Sequence, residues 1–398
     1  MQALYEYQEL YLERITDEHF RFLYHQLPKG ERMLAIKGPR GAGKTTLLLQ
    51  WLKYELGTAQ NALYVTADHP WFYTNSLLEL ANQFVKYGGK YLLVDEIHQY
   101  PNWSSELKNI YDAHAGLQVI ITASSALDLY RGAADLSRRL LSFELPGLSF
   151  REYLALAHNI SLPIVSLEEL LTNHLDISKM CIAQFRPLPV FRDYWRSGYL
   201  PLVLEGDKAF YHTRLLETVN TTLERDLRVI EEYSASNIQK IKKLLGVLAE
   251  SVPFEPNISA LAGKLGMGRD TINNFIQHLS SARLLNLLNT ATKGVAALQK
   301  PDKIYLENTN LNYALKGEPN LGTLRETFFL TQLRNAGYKV NLPPKGDFLI
   351  DGNQIVEVGG KNKEGKQLRD LPNAIIAADD IETGFQQKIP LWLFGFLY

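Results

Sequence analysis

The sequence predicts an α/β protein built on a parallel sheet with helices on both faces, followed by smaller appended units. Three observations carry this. Short apolar runs alternate with amphipathic stretches from "MLAIKG" to "LQVIITAS". The runs are almost continuously apolar, which suits strands covered on both sides rather than strands with one wet face. The first run also leads straight into the glycine-rich stretch "GPRGAGKTT", after which helical spacing begins.

Taken in order, residues 5–27 alternate apolar and charged positions at helical spacing and stop before "PKGE", which predicts one helix. "MLAIKG" is a buried strand and "KTTLLLQWLKYEL" (44–56) a helix. "NALYVTAD" (61–68) is a strand, "SLLELANQFVKY" (76–87) a helix and "YLLVDE" (91–96) a strand. "WSSELKNIYDAH" (103–114) is a helix, and "LQVIITAS" (117–124) and "LLSFEL" (140–145) are strands. This core occupies 1–149. Residues 150–235 read as helices broken by "SLP", "RPLP" and "SGYLP", a helical lid. Residues 236–292 read as three helices with Gly266 ending the second, Asp270 as N-cap of the third, and a wing strand in "RLLNLL". In 293–398, "KIYLEN" is a strand and "TLRETFFLTQLRNAG" an amphipathic helix. "GDFLIDGNQIVEVGG" is a hairpin turning at Asp351-Gly352-Asn353, and "IPLWLFGFLY" a buried final strand.

Composition excludes several classes. With 42 Lys and Arg against 43 Asp and Glu, there is no overall basic excess to hold nucleic acid, although a local patch is compatible with that balance. The single cysteine, Cys181, cannot form an internal disulfide. The N-terminus has no signal-like apolar stretch, and no run reaches the ~18 apolar residues of a membrane span. A cytoplasmic protein without a membrane partner is expected, and an oligomer is compatible with the sequence.

The glycine-rich stretch fits G-x-x-x-x-G-K-S/T through Gly38, Gly43, Lys44 and Thr45. Such a loop turns backbone N–H groups inward around phosphate oxygens, and the next helix points its positive end at the same anion. The expected cradle is Gly38, Pro39, Arg40, Gly41, Ala42, Gly43, Lys44, Thr45 and Thr46. Lys44 would reach the β/γ-phosphates and Thr45 would hold Mg²⁺, while Thr46 supports the helix start. "YLLVDE" brings Asp95 and Glu96 to a strand end, where Asp95 suits Mg²⁺ and Glu96 suits a base that activates water; both can otherwise cap the following loop. Ser124, or else Ser125, ends "LQVIITAS" and is placed to orient that water, with helix capping the alternative for Ser125. Arg138 and Arg139 precede "LLSFEL"; one of them can serve as an arginine finger in cis or in trans, or the two can be solvated charges.

The stretches "GPRGAGKTTLLLQWL", "LLVDEIHQYPNW", "ITASSALDL" and "RLLSFELPGLSFREYL" together resemble AAA+/STAND-like P-loop ATPases of the archaeal and bacterial group fused to a domain of unknown function. That resemblance implies an ASCE-type sheet of order 5-1-4-3-2 and ATP rather than GTP. It also implies Glu96 as catalytic base, Ser124 as sensor and Arg139 in the arginine motif. "WRSGYLPLVLEG" resembles a further element of that group, with Ser197 in place of a glycine. "TLERDL" (222–227) and "ISALAGKLGMGRDTINNFIQHLSSARLL" are similar to its winged-helix module. The C-terminal stretches are similar to a domain likened to PD-(D/E)XK nucleases.

Nuclease chemistry needs paired carboxylates for Mg²⁺ and a lysine on the same strand face. Asp347 and Glu357 sit on the two hairpin arms, and Glu326 is a third candidate. The position two after Glu357 is Gly359, and Lys361 and Lys363 lie beyond Gly359-Gly360, so strand alternation does not aim a lysine there. A degenerate nuclease-like domain is therefore expected. In the winged helix, Asn273, Asn274, Gln277 and His278 can read DNA base edges, but Lys264, Arg269 and Arg283 are few for phosphate contacts. The expectation is an ATP-binding, ATP-hydrolysing switch whose partner is DNA or a protein; an ATP-regulated, Mg²⁺-dependent DNA nuclease is the alternative.

Overall fold

The structure, a computed structural model, describes residues 1–56, 61–126, 136–227, 233–291, 301–365, 368, 371 and 373–398. The expected boundary between the third and fourth segments, at 292/293, lies outside them. The chain forms two compact units: residues 1–147 with 221–234, and residues 148–220 with 235–398.

The first unit is a five-stranded sheet of order β2-β3-β4-β1-β5, with every pairing parallel. Its strands are β1 (Met33–Gly38), β2 (Ala62–Thr66), β3 (Tyr91–Asp95), β4 (Gln118–Ser124) and β5 (Leu141–Glu144). The order is the one predicted, read from the opposite edge. Strand alternation divides the core into two layers. Met33, Ala35, Leu63, Val65, Leu92, Val94, Val119 and Ile121 pack with α3 (Leu77–Lys86) and α4 (Trp103–Ala113). Leu34, Ile36, Ala62, Tyr64, Leu93 and Ile120 pack with α2 (Lys44–Trp51). Helix α3 begins with a capping box, in which Ser76 Oγ accepts from Glu79 N and the Glu79 carboxylate accepts from Ser76 N.

The single helix expected over 5–27 is instead α1 (Gln2–Leu12) and a short 3₁₀ turn, Phe22–His25. Side chains from the segment after β1 compete for the carbonyls between them. Gln50 donates to Thr16 O (3.1 Å) and His19 O (2.9 Å), and Lys53 to Leu12 O (2.9 Å) and Ile15 O (2.8 Å). Those carbonyls are satisfied without a continuing helical ladder.

The second unit has its own five-stranded sheet, of order β12-β11-β10-β9-β8. The strands β8 (Val340–Asn341), β9 (Phe348–Ile350) and β10 (Gln354–Gly359) are antiparallel neighbours. Strands β11 (Ala374–Ala378) and β12 (Lys388–Pro390) extend the sheet in parallel. The β9–β10 turn is the expected one, with Asp351 (φ 48) and Gly352 (φ 73) both left-handed. The helices α5 (Phe150–His158), α6 (Leu167–Ile182) and α7 (Pro187–Ser197) belong to this unit and do not form a separate lid. Ser149 Oγ donates to Tyr398 O (2.9 Å), and Arg192 on α7 forms an ion pair with Asp379 (2.8 Å) just past β11.

The helix containing "TLRETFFLTQLRN", Leu321–Asn335, is buried nearly all round rather than amphipathic, with Thr323, Leu324 and every residue from Thr327 to Leu333 inside. Only the start of "IPLWLFGFLY" is strand; Leu391–Phe396 is a 3₁₀ helix, and it is buried as expected. Helices Ala235–Ser251, Ile258–Leu265 and Arg269–Ser281 precede β6 (Leu285–Leu288), which pairs antiparallel with β7 (Lys303–Leu306). The third of these helices is capped by Gly268, and Asp270 lies in its first turn instead.

Candidate functional site

The loop at the carboxyl edge of β1 is shaped by two glycines for different reasons. Gly43 caps α2 with φ 90, a left-handed conformation that disfavours other residues. Gly38 lies where a Cβ would fall 2.2 Å from Leu145 O, so it is required for the close approach of β1 to the chain after β5. From outside the loop, the buried Arg21 guanidinium donates to Ala42 O and also to Pro146 O (2.8 Å) and Gly147 O (3.1 Å). Arg21 thereby ties the loop to the end of the sheet. Sequence reasoning missed it, because its segment reads as helix.

Lys44 opens α2 and is buried, with Nζ donating to Gly38 O (2.9 Å) and Pro39 O (3.0 Å). Burial pushes its pKa down, against the fields of Glu96, Asp95 and Asp226. A buried ammonium held by neutral carbonyls, at a helix N-terminus beside left-handed glycines, fits a phosphate chain. Thr45 Oγ1 donates to Asp95 Oδ2 at 2.7 Å. Asp95, at the end of β3, also accepts from Tyr64 OH (3.1 Å) and Thr122 Oγ1. Beside it, burial and Asp95 push the Tyr64 hydroxyl pKa well up. The pair of Thr45 hydroxyl and Asp95 carboxylate is an oxygen donor set suited to Mg²⁺. Tyr64 and Thr122 read in the sequence as strand filler, yet both lie on strands flanking β3.

Glu96 follows β3 in a left-handed conformation (φ 53, ψ 39), its N–H held by Thr122 Oγ1 at 2.9 Å. Non-glycine residues in that region are uncommon and cluster at functional sites. Its carboxylate is 27% exposed, with Oε2 3.4 Å from Arg40 Nη2 and 4.0 Å from His98 Nε2. Ser124 is the register partner of Gly38, so the tip of β4 lies between the glycine loop and the acid pair. Its N–H donates to His98 Nδ1 at 3.4 Å. Thr46 follows Thr45 in the first turn of α2.

Arg139 is not brought to the loop. It forms a two-point pair with Asp112 of α4 (3.0 and 3.1 Å). It also lies two residues before Leu141, the partner of Leu34 near the start of β1. That is the amino edge of the sheet, and the glycine loop is at the carboxyl edge. Arg139 is therefore not placed to act in cis, and the expected alternative, action in trans, concerns a neighbouring chain. Besides Lys44, the structure places Arg40 at the site, with Asp226 and His98, and no motif in the chain pointed to Asp226.

In the second unit, Glu357 on β10 is buried and Lys363 Nζ lies 2.8 Å from its Oε1. The lysine that alternation does not supply comes back across Gly359, where a Cβ would lie 2.8 Å from Lys363 Cγ. Asp347 accepts from Val358 N (2.7 Å), and burial pushes its pKa up. Glu326 is engaged by Lys303 (2.8 Å) and Tyr305 OH (2.7 Å). Among the described residues, no set of three or more His, Cys, Asp or Glu is gathered as a metal centre. Of the four expected base-reading residues only Asn274 is exposed, while Asn273, Gln277 and His278 are half-buried; Lys264 and Arg269 are exposed, and Arg283 is paired with Glu307 at 3.1 Å. No helix among the described residues is long and apolar enough to cross a membrane.

Comparison with known proteins places two stretches. The chain is 28% identical to an uncharacterized protein of Methanocaldococcus jannaschii, over 96% of this chain and 88% of that one. Among solved structures, the Aeropyrum pernix Orc1 protein in complex with DNA is 13% identical with a TM-score of 0.30, covering 80% of this chain and 94% of that one. The replication initiator DnaA bound to AMPPCP and single-stranded DNA is 14% identical with a TM-score of 0.29, covering 71% and 88%. Residues 188–321 match a family model described as a domain of unknown function (DUF8612). Residues 30–154 match the family model of an AAA domain, and this stretch holds the parallel sheet, the glycine loop and the acid pair.

Proposed function

We propose that the first unit binds ATP with Mg²⁺ and hydrolyses it, and that the protein is an ATP-driven switch. The observation that carries this is the 2.7 Å bond between Thr45 Oγ1 and Asp95 Oδ2 beside a buried Lys44. In this reading Lys44 leaves the Gly38 and Pro39 carbonyls for phosphate oxygens, and the loop N–H groups orient the chain. Thr45 and Asp95 hold the metal, which when bound neutralises charge on the phosphates. Glu96 accepts a proton from water, and Ser124 positions that water. The choice of ATP over GTP rests on the family resemblance. Lys44→Ala is expected to weaken binding of a fluorescent ATP analogue about 10- to 100-fold, the loss of charge-assisted bonds to phosphate. Equal affinity in wild type and variant would remove the proposal.

The output is a protein partner or DNA. The half-buried Asn273, Gln277 and His278 and the paired Arg283 favour a protein, and an ATPase rate unchanged by added DNA is the matching result. A second reading is favoured by the Lys363–Glu357 pair, which restores a lysine beside the Asp347 and Glu357 carboxylates. It is a Mg²⁺-dependent nuclease in the second unit. It requires nicking of plasmid DNA that is lost in Glu357→Ala; absence of nicking with Mg²⁺ and ATP present leaves a domain used for binding or packing.

A further inference from the structure

Asp226 is delivered to the loop by a segment to which nucleotide binding alone assigns no role. Residues 221–234 belong to the first unit, although the chain on either side belongs to the second. Within this segment Thr222–Leu227 is a π-helix, a rare form that concentrates at functional sites. It buries Asp226 to 2% exposure. There Oδ1 accepts from Arg40 Nη2 at 3.1 Å and lies 3.6 Å from His98 Nε2. Burial alone would push the Asp226 carboxyl up, but His98 and Arg40 outweigh it and hold the pKa below the ordinary value. The pair with Arg40 is therefore ionic. His98 fits the same arrangement: a ring that accepts from Ser124 N at Nδ1 carries its proton on Nε2, the atom facing Asp226.

Arg40 is the third residue of the glycine loop, three before the Gly43 that caps α2. Its guanidinium reaches two carboxylates, Asp226 and Glu96, through the single nitrogen Nη2, and its buried Nε has no hydrogen-bond partner. A guanidinium held through one nitrogen has donors to spare, and a phosphate chain offers the paired oxygens it binds most strongly. Lys44 beside it already feels the charges of Glu96, Asp95, Asp226 and Arg40.

We infer that Asp226 is a positioning residue that withholds Arg40 from the nucleotide, so that the Arg40–Asp226 ion pair and triphosphate binding compete for one side chain. The inference rests on the nucleotide-binding reading above. When Arg40 turns to the phosphates, Asp226 keeps only His98 and the Thr222–Leu227 turn loses an anchor. By linkage, whatever holds that turn in place weakens triphosphate binding, and triphosphate binding loosens the turn. Because the chain entering and leaving the segment belongs to the second unit, occupancy of the loop is passed on through a covalent connection.

The test titrates a non-hydrolysable fluorescent ATP analogue with Mg²⁺ into wild type, Asp226→Asn, Arg40→Ala, the double variant and Lys44→Ala. Asp226→Asn is expected to bind about fivefold tighter than wild type, the scale of one partly exposed ion pair. In the Arg40→Ala background the same substitution is expected to change nothing. Unchanged or weaker binding by Asp226→Asn, or an equal gain without Arg40, overturns the inference. A second readout needs no variant: hydrogen exchange of amides 222–227 in wild type should quicken with the analogue, and unchanged or slower exchange overturns it. If wild type and Lys44→Ala fail alike to bind the analogue, the nucleotide reading itself falls. Binding that is lost in Lys44→Ala but indifferent to Asp226 removes the inference alone.

Discussion

Replacing Glu96 with glutamine is expected to slow ATP hydrolysis by about two to four orders of magnitude, the usual contribution of a positioned general base. ATP affinity should stay within about twofold, since the amide keeps the shape and the acceptor facing Arg40. The side chain has the position the role requires. It follows Asp95 directly, is turned by a left-handed backbone, and retains 27% exposure where Asp95 is buried. Asp95 is already engaged by three hydroxyls, those of Thr45, Tyr64 and Thr122. Single-turnover phosphate release measures the rate, and analogue titration measures the affinity. A variant with the wild-type rate would assign the base elsewhere. A variant that loses affinity and rate together would make Glu96 a binding residue.

Phe150→Ala is expected to destabilise the second unit by about 3–5 kcal/mol, the cost of deleting a buried aromatic ring and leaving a cavity. Phe150 has 0% exposure, and its ring centroid lies 5.2 Å from Phe191, 5.5 Å from Tyr194 and 6.0 Å from Phe396. Its Cβ approaches so near to Gly395 that a Cβ there would lie 2.4 Å away. The first residue of α5 is thus packed on the end of the chain, so a substitution in the expected lid acts on the C-terminal sheet. Hydrogen exchange should show lost protection in β10 and β11, with the amides of β1 and β4 unchanged. Protection of β10 and β11 equal to wild type would return the helices after residue 149 to the status of a separate lid.

The contrast between Asp95 and Arg139 explains how far the sequence could be read. Both belong to motifs quoted from the chain, and both flank a strand. Asp95 ends β3, so its place at the carboxyl edge follows from strand direction alone, as the places of Lys44 and Ser124 follow from β1 and β4. Arg139 precedes β5, and the same rule puts it at the amino edge, where Asp112 meets it. The resemblance supplied its role, and the strand direction withholds it from the loop of its own chain. Lys363 shows the opposite case. Period-two alternation fails past Gly359-Gly360, and only the turn of the folded chain returns the ammonium to Glu357.

By itself the sequence determined the parallel sheet and the glycine loop with its acid pair, because those depend on apolar periodicity and on neighbours within a few residues, while the strand order came from the family resemblance. Tertiary structure alone decided the division into two units and the carbonyl bonds that end α1. It also brought Arg21 to the loop and Asp226 to Arg40, partners 186 residues apart in the chain. A buried polar group takes whichever partner the fold brings within about 3 Å, and no local pattern in the chain encodes a distance of that kind.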